Sequence, residues 1–166
     1  MKPTIVRQYE TVSGNAPVQG PAAAQTGLMG RALIMTLSGE CRVEALRPGD
    51  RVITRDSGTA TLRHLRRRRV TSPVVHIKAR SLGHNRPEGD AMLPAGQPVL
   101  VRDWRARALF GADQALVPAS RLVDGEFVTL QPDAAMTVYN LEFDNPHVLY
   151  VDGLELASHM GDHVTS

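Results

Sequence analysis

The stretch Ala32-Leu33-Ile34-Met35-Thr36-Leu37-Ser38-Gly39-Glu40-Cys41-Arg42-Val43-Glu44-Ala45-Leu46-Arg47-Pro48-Gly49-Asp50-Arg51-Val52 decides the fold reading. It opens on the apolar run Leu33-Ile34-Met35, turns at Ser38-Gly39 and returns through Cys41. Val43 to Leu46 can hold one helical turn before Pro48-Gly49-Asp50 stops it, because proline cannot continue a helix. A further run, Arg51-Val52-Ile53-Thr54, begins immediately afterwards. Short β-branched runs between Gly and Asp turn signals predict strands.

The same punctuation continues to the end of the chain. Val74-Val75-His76-Ile77, Val99-Leu100-Val101, Phe127-Val128-Thr129-Leu130, Val138 to Phe143 and Val148 to Val151 are further candidate strands. Asp56-Ser57-Gly58, Asp124-Gly125, Asn145-Pro146 and Asp152-Gly153 separate them. Helical periodicity is weak, with Trp104 to Phe110 the best candidate and a second short turn over Ala119 to Leu122 after Pro118. The prediction is an all-β domain with one or two short helical turns. Residues 1–27, with Pro3, Gly14, Pro17, Gly20 and Pro21 and no sustained period, read as a flexible leader.

Composition sets outer limits. The 166 residues are 42% hydrophobic and 22% charged, ordinary for one globular domain. The single Cys41 excludes an internal disulfide framework. No apolar run of about 18 residues occurs, so no membrane-spanning helix is predicted. No apolar segment follows Lys2 as a secretory signal requires. Cytoplasmic placement is the default expectation, with export by a signal-less route the alternative. A formal charge of +2 does not by itself imply nucleic acid.

Three pieces in order resemble a known family. The quoted stretch is similar to the opening of a Hint (hedgehog/intein) domain, a strand, a glycine turn and then a V-E-x-L-x-x-G-D-x-V pattern. Leu116-Val117-Pro118-Ala119 and Leu122-Val123-Asp124-Gly125 fit the middle of the bacterial Hint-domain subfamily. Val138-Tyr139-Asn140-Leu141-Glu142-Phe143, then His147 and Val148 to Leu154, resemble its closing hairpin. The likeness implies a twisted, horseshoe-like set of antiparallel strands over residues 28–158, with residues 159–166 as a C-terminal tail.

The resemblance also says where chemistry would sit. Self-processing members open on a Cys or Ser that attacks the preceding carbonyl, converting a peptide into a thioester or ester. That position falls at Gly27, which has no side chain. Thr26 is the weaker candidate nucleophile, a secondary alcohol that needs a nearby base. The family's middle-strand histidine falls at Gln97, whose amide holds a carbonyl or N–H but cannot move a proton. Splicing members end in His-Asn, where this chain has Ala157-Ser158. His147 matches the closing-hairpin histidine, and holding the Asp144-Asn145-Pro146 turn by a ring hydrogen bond is the expected role rather than proton transfer.

The remaining candidates have plainer readings. Cys41 is expected to be a small, partly buried strand residue. His159 and His163 have a spacing that suits zinc on a helix, but Gly161 between them favours a polar tail, and no metal or other cofactor is implied. Arg63, Arg66, Arg67, Arg68 and Arg69 form a basic run without interleaved aromatics, expected to be a solvated strand edge. The expected function is a Hint-like module that has lost autoprocessing and serves as an interaction or scaffold unit for a protein partner. The alternatives are self-cleavage at the leader–domain junction, and binding of nucleic acid or an acidic partner through the arginine run.

Overall fold

The computed structural model describes residues 4–5, 24–83 and 86–159. Most of the expected leader, and all of the expected tail after His159, lie outside the described residues. Among the described residues, thirteen strands form two sheets. They are β1 (Thr4–Ile5), β2 (Leu28–Met29), β3 (Leu33–Thr36), β4 (Gly39–Arg42), β5 (Arg51–Thr54), β6 (Gly58–Thr61), β7 (His64–Ile77), β8 (Ala91–Pro94), β9 (Pro98–Val101), β10 (Ala115–Pro118), β11 (Val128–Glu142), β12 (Val148–Val151) and β13 (Leu154–Ala157). One sheet runs β1-β10-β9-β13-β12-β3-β5-β6, with β4 paired to β3; the other runs β2-β11-β7-β8.

The stretch Ala32 to Val52 folds as its punctuation dictates. Leu33 to Thr36 pairs antiparallel with Gly39 to Arg42, and Val43–Ala45 is a single 3₁₀ turn before β5. Alternation in β3 points Ile34 inward and leaves Leu33 and Met35 exposed. The one α-helix among the described residues, α1 (Trp104–Phe110), starts at Asp103, whose carboxylate accepts the Arg105 N–H, and stops at Gly111 in the left-handed region. Ala119–Leu122 is a 3₁₀ turn. No helix among the described residues is long and apolar enough to cross a membrane.

The core lies between the inner faces of the two sheets. Ile34, Val52, Leu149 and Leu156 of one sheet meet Leu28, Val75, Leu93, Val128 and Leu141 of the other in one buried cluster. Each such side chain contributes roughly 1.5–3 kcal/mol by leaving water. With few aromatics, that number of aliphatics is what supplies the core.

Two departures from the sequence reading have a common cause. The runs Phe127–Leu130 and Val138–Phe143, read as separate strands, fall from Val128 to Glu142 in the single 15-residue β11, and Arg66 to Arg69 of the basic run lie inside the 14-residue β7, with Arg63 just before it. These two strands pair from Val128↔Ile77 to Glu142↔His64, with one irregularity between Gln131 and Ala134. Pro132 sits in that irregularity, where a missing N–H costs no ladder bond. Over much of their length the strands are exposed, so no apolar alternation marked them.

Buried Glu155 of β13 ties three loops together. Its carboxylate, 2% exposed, meets Arg102 Nη2 at 2.7 Å, Arg55 Nε at 3.2 Å and the guanidinium of Arg86.

Candidate functional site

The segment 24–27 enters the structure as an extended strip pinned at each step. Gln25 N–H donates to Ser72 Oγ at 3.2 Å, and Gln25 O accepts the Gly96 N–H at 2.9 Å. Gly96 permits this approach because a Cβ there would lie 2.8 Å from Gln25 O. Gly27 N–H then donates to Gln97 Oε1 at 2.9 Å, a buried bond between positions 70 residues apart in sequence. Gln97, 2% exposed, donates through Nε2 to Ala157 O at 2.8 Å and Pro98 O at 3.1 Å. The backbone of Gln97 is fixed as well, its carbonyl accepting the Ala119 N–H at 2.9 Å.

Gly27, Gln97 and Ala157-Ser158 therefore border one cavity of about 490 Å³, with Thr26, Asn140 and His159 also in its wall. Position 27 is shaped for glycine. Its φ is +135°, and a Cβ there would lie 2.8 Å from Val138 Cβ and 3.0 Å from Val138 Cγ2. Thr26 lines the cavity, but its hydroxyl makes no hydrogen bond among the described residues.

His147 lies beside this cavity, outside its lining. Its Nδ1 is 2.9 Å from Asp56 Oδ2 and 3.4 Å from Ser57 Oγ. Phe143 packs edge-on against the ring at 5.6 Å. Burial works against the charge of Asp56, yet the Val148 N–H and the His147 ring hold its carboxyl below the usual range. The imidazole thus anchors the Asp56 turn to the β12 entrance, not the Asp144-Asn145-Pro146 turn expected from the sequence, because the Asp56 carboxylate lies within its reach. The backbone around it is linked to the cavity, since Ser158 Oγ accepts the His147 N–H at 2.9 Å and Ser158 N–H donates to His147 O at 2.8 Å.

Two wall residues carried no sequence signal of a place in this cavity. Asn140 is buried in β11, its Oδ1 accepting Arg68 Nε at 2.8 Å. His159, placed by sequence at the start of the tail, donates its N–H to Leu141 O at 3.2 Å, and its Nδ1 is buried without a partner among the described residues. His163 lies outside the described residues. Among those described, no group of three His, Cys, Asp or Glu residues is arranged to hold a metal.

Cys41 sits half-buried on β4, and burial, then the charge of Asp50, push its thiol pKa up. A thiol so placed is a poor nucleophile near neutral pH. The arginine run lies where β7 has β11 on one side and lacks β8, which pairs only with Val74 to Ile77. Four of its five arginines have internal partners. Arg63 grips Asp144 at 3.0 Å through Nε and Nη2, Arg66 pairs with Glu142, Arg68 holds Asn140, and Arg69 Nη1 is 3.4 Å from Thr137 Oγ1.

The chain is similar to a bacterial intein-like domain from Clostridium thermocellum, at 17% identity over 82% of this chain and 99% of that one, with a TM-score of 0.55. It is similar to a DnaB intein from Synechocystis sp. PCC 6803 at 11% identity over 81% and 99%, with a TM-score of 0.56. The MchDnaB-1 intein gives 13% identity over 80% and 99%, with a TM-score of 0.51. At such identities the likeness is one of fold. No curated protein sequence matches the chain. The Hint domain family model matches residues 26–163, starting one residue before Gly27 and running past the cavity wall at His159, and the chain belongs to that family.

Proposed function

We propose that this Hint domain has lost autoprocessing and serves as an interaction or scaffold module. The observation that carries the reading is the buried Gly27 N–H···Gln97 Oε1 bond at 2.9 Å. Where self-processing needs a nucleophile and a proton donor, this chain brings together a residue without a side chain and a neutral amide. The amide still grips the junction, so the scissile segment is held but not attacked. Thr26 makes a poor substitute nucleophile, because its hydroxyl has no base in hydrogen-bond contact among the described residues. His147 is committed to Asp56 through Nδ1.

The test is intact-mass spectrometry of the purified chain after long incubation with a thiol. The full mass is expected to persist. Release of a leader fragment ending near residue 25 or 26 overturns the inert reading.

A further inference from the structure

The cavity beside Gly27 leaves several hydrogen-bond donors uncommitted. Four of its acceptors are engaged: Gln97 Oε1 by Gly27 N–H, Ala157 O by Gln97 Nε2, Leu141 O by His159 N–H, and Thr26 O by Arg68 Nη2 at 3.5 Å. Several side-chain donors are not. Asn140 spends Oδ1 on Arg68 Nε, and because guanidinium only donates, this fixes which end of the amide is Nδ2. That Nδ2 lies 3.4 Å from where a Gly27 Cβ would stand and makes no hydrogen bond among the described residues. Ser158 Oγ accepts from His147 N–H, which leaves its own proton to give. The hydroxyls of Thr26 and Ser120 are equally uncommitted among the described residues.

Charge points the same way. Arg121 stands in the wall with its guanidinium over the Phe110 ring at 5.4 Å, and none of the described residues lining the cavity is acidic. Leu28, Pro98, Pro118 and Leu141 give the rest of the wall an apolar character. A volume of about 490 Å³ lies in the range of small-ligand sites.

We infer that this cavity binds a carboxylate carried on a short apolar body, with Arg121, Asn140 and Ser158 as its donors. The inference rests on the inert reading above, since a processing site would keep the space for its own junction. Two sources present this chemistry, a free organic acid and the C-terminus of a peptide. Arginine and amide donors favour the ionised acid over its neutral amide, because hydrogen bonds to charged groups are the stronger ones.

The experiment is calorimetric titration of the full chain with hexanoate, hexanamide, N-acetyl-leucyl-leucine and the amide of that peptide. At least one acid is expected to bind saturably, and its amide roughly tenfold or more weakly. Arg121→Gln, at an exposed position, is expected to melt like the parent and to lose roughly tenfold in acid affinity. Ser120→Asp is expected to abolish binding by placing like charge in the wall. Tighter binding of the peptide acid identifies a peptide C-terminus as the source, and tighter binding of hexanoate a free acid. Amides binding as well as acids, neither acid binding, or a folded Arg121→Gln chain that binds undiminished each overturn the inference. Intact mass on the same samples keeps the two readings apart, since cleavage would sink the inert reading whatever the titration shows.

Discussion

Replacing Gly27 by Ala adds one carbon, and that carbon has no room. It would lie 2.8 Å from Val138 Cβ, a contact that relaxes only if β11 or the 24–27 strip moves. The strip is held at Ser72, Gly96 and Gln97, and β11 is paired to both β2 and β7. The backbone adds a second cost, because φ at +135° is a region that side-chain-bearing residues rarely adopt. Such strain costs on the order of 1–3 kcal/mol, and overpacking about 1–3 kcal/mol. Together they put the substitution at roughly 2–6 kcal/mol, a large share of the ~5–15 kcal/mol typical of a domain. Urea unfolding followed by far-ultraviolet circular dichroism measures it. A double-mutant cycle with Val138→Gly, which removes the clashing Cβ, is expected to return the steric share, about 1–3 kcal/mol, as a coupling energy, while the φ cost remains. A Gly27→Ala cost under ~0.5 kcal/mol, or a coupling near zero, would refute the reasoning. Gly27→Cys carries the same Cβ, so placing a thiol there is expected to strain the fold in the same way.

Three other outcomes follow from the same geometry. Glu155→Ala strips the shared carboxylate from Arg55, Arg86 and Arg102, and is expected to cost about 3–5 kcal/mol in urea unfolding. Asp124 accepts N–H bonds from Val128, Glu126 and Phe127, which hold its carboxyl below the usual range. Its contribution is therefore present above the unfolded value of about 3.9 and lost as pH falls through the lowered folded value, so Asp124→Asn should flatten the acid limb of stability against pH. Alkylation of Cys41 should be slow at neutral pH, with a rate still climbing beyond about 8.5, the ordinary thiol value; a rate plateau near neutrality would contradict the burial that raises its pKa.

Elements closed by local chemistry could be read directly from the chain. β5 and α1 fall where Arg51–Thr54 and Trp104–Phe110 predicted them, because Pro48-Gly49-Asp50 and Gly111 fix their ends within a few residues. The β7–β11 ribbon could not be read so, since its stability comes from backbone pairing between positions up to 78 apart, as in Glu142↔His64, and needs no apolar pattern on its exposed stretches. The same holds for the site. Position 27 and Gln97 could be picked out only through the family likeness, and nothing in the chain states that the two touch. Asn140 sat inside a quoted motif with no role, because an asparagine in a strand becomes a donor of fixed direction only when Arg68, on the neighbouring strand, takes its oxygen. What a residue can do here is set by what its partner has already used. Gln97 has both ends of its amide engaged, so it works as a clamp; Asn140 has one end engaged, so the other is free to bind. Exchanging either for an apolar residue should therefore separate the two roles, with loss of Gln97 read in stability and loss of the Asn140 donor read in affinity for the carboxylate.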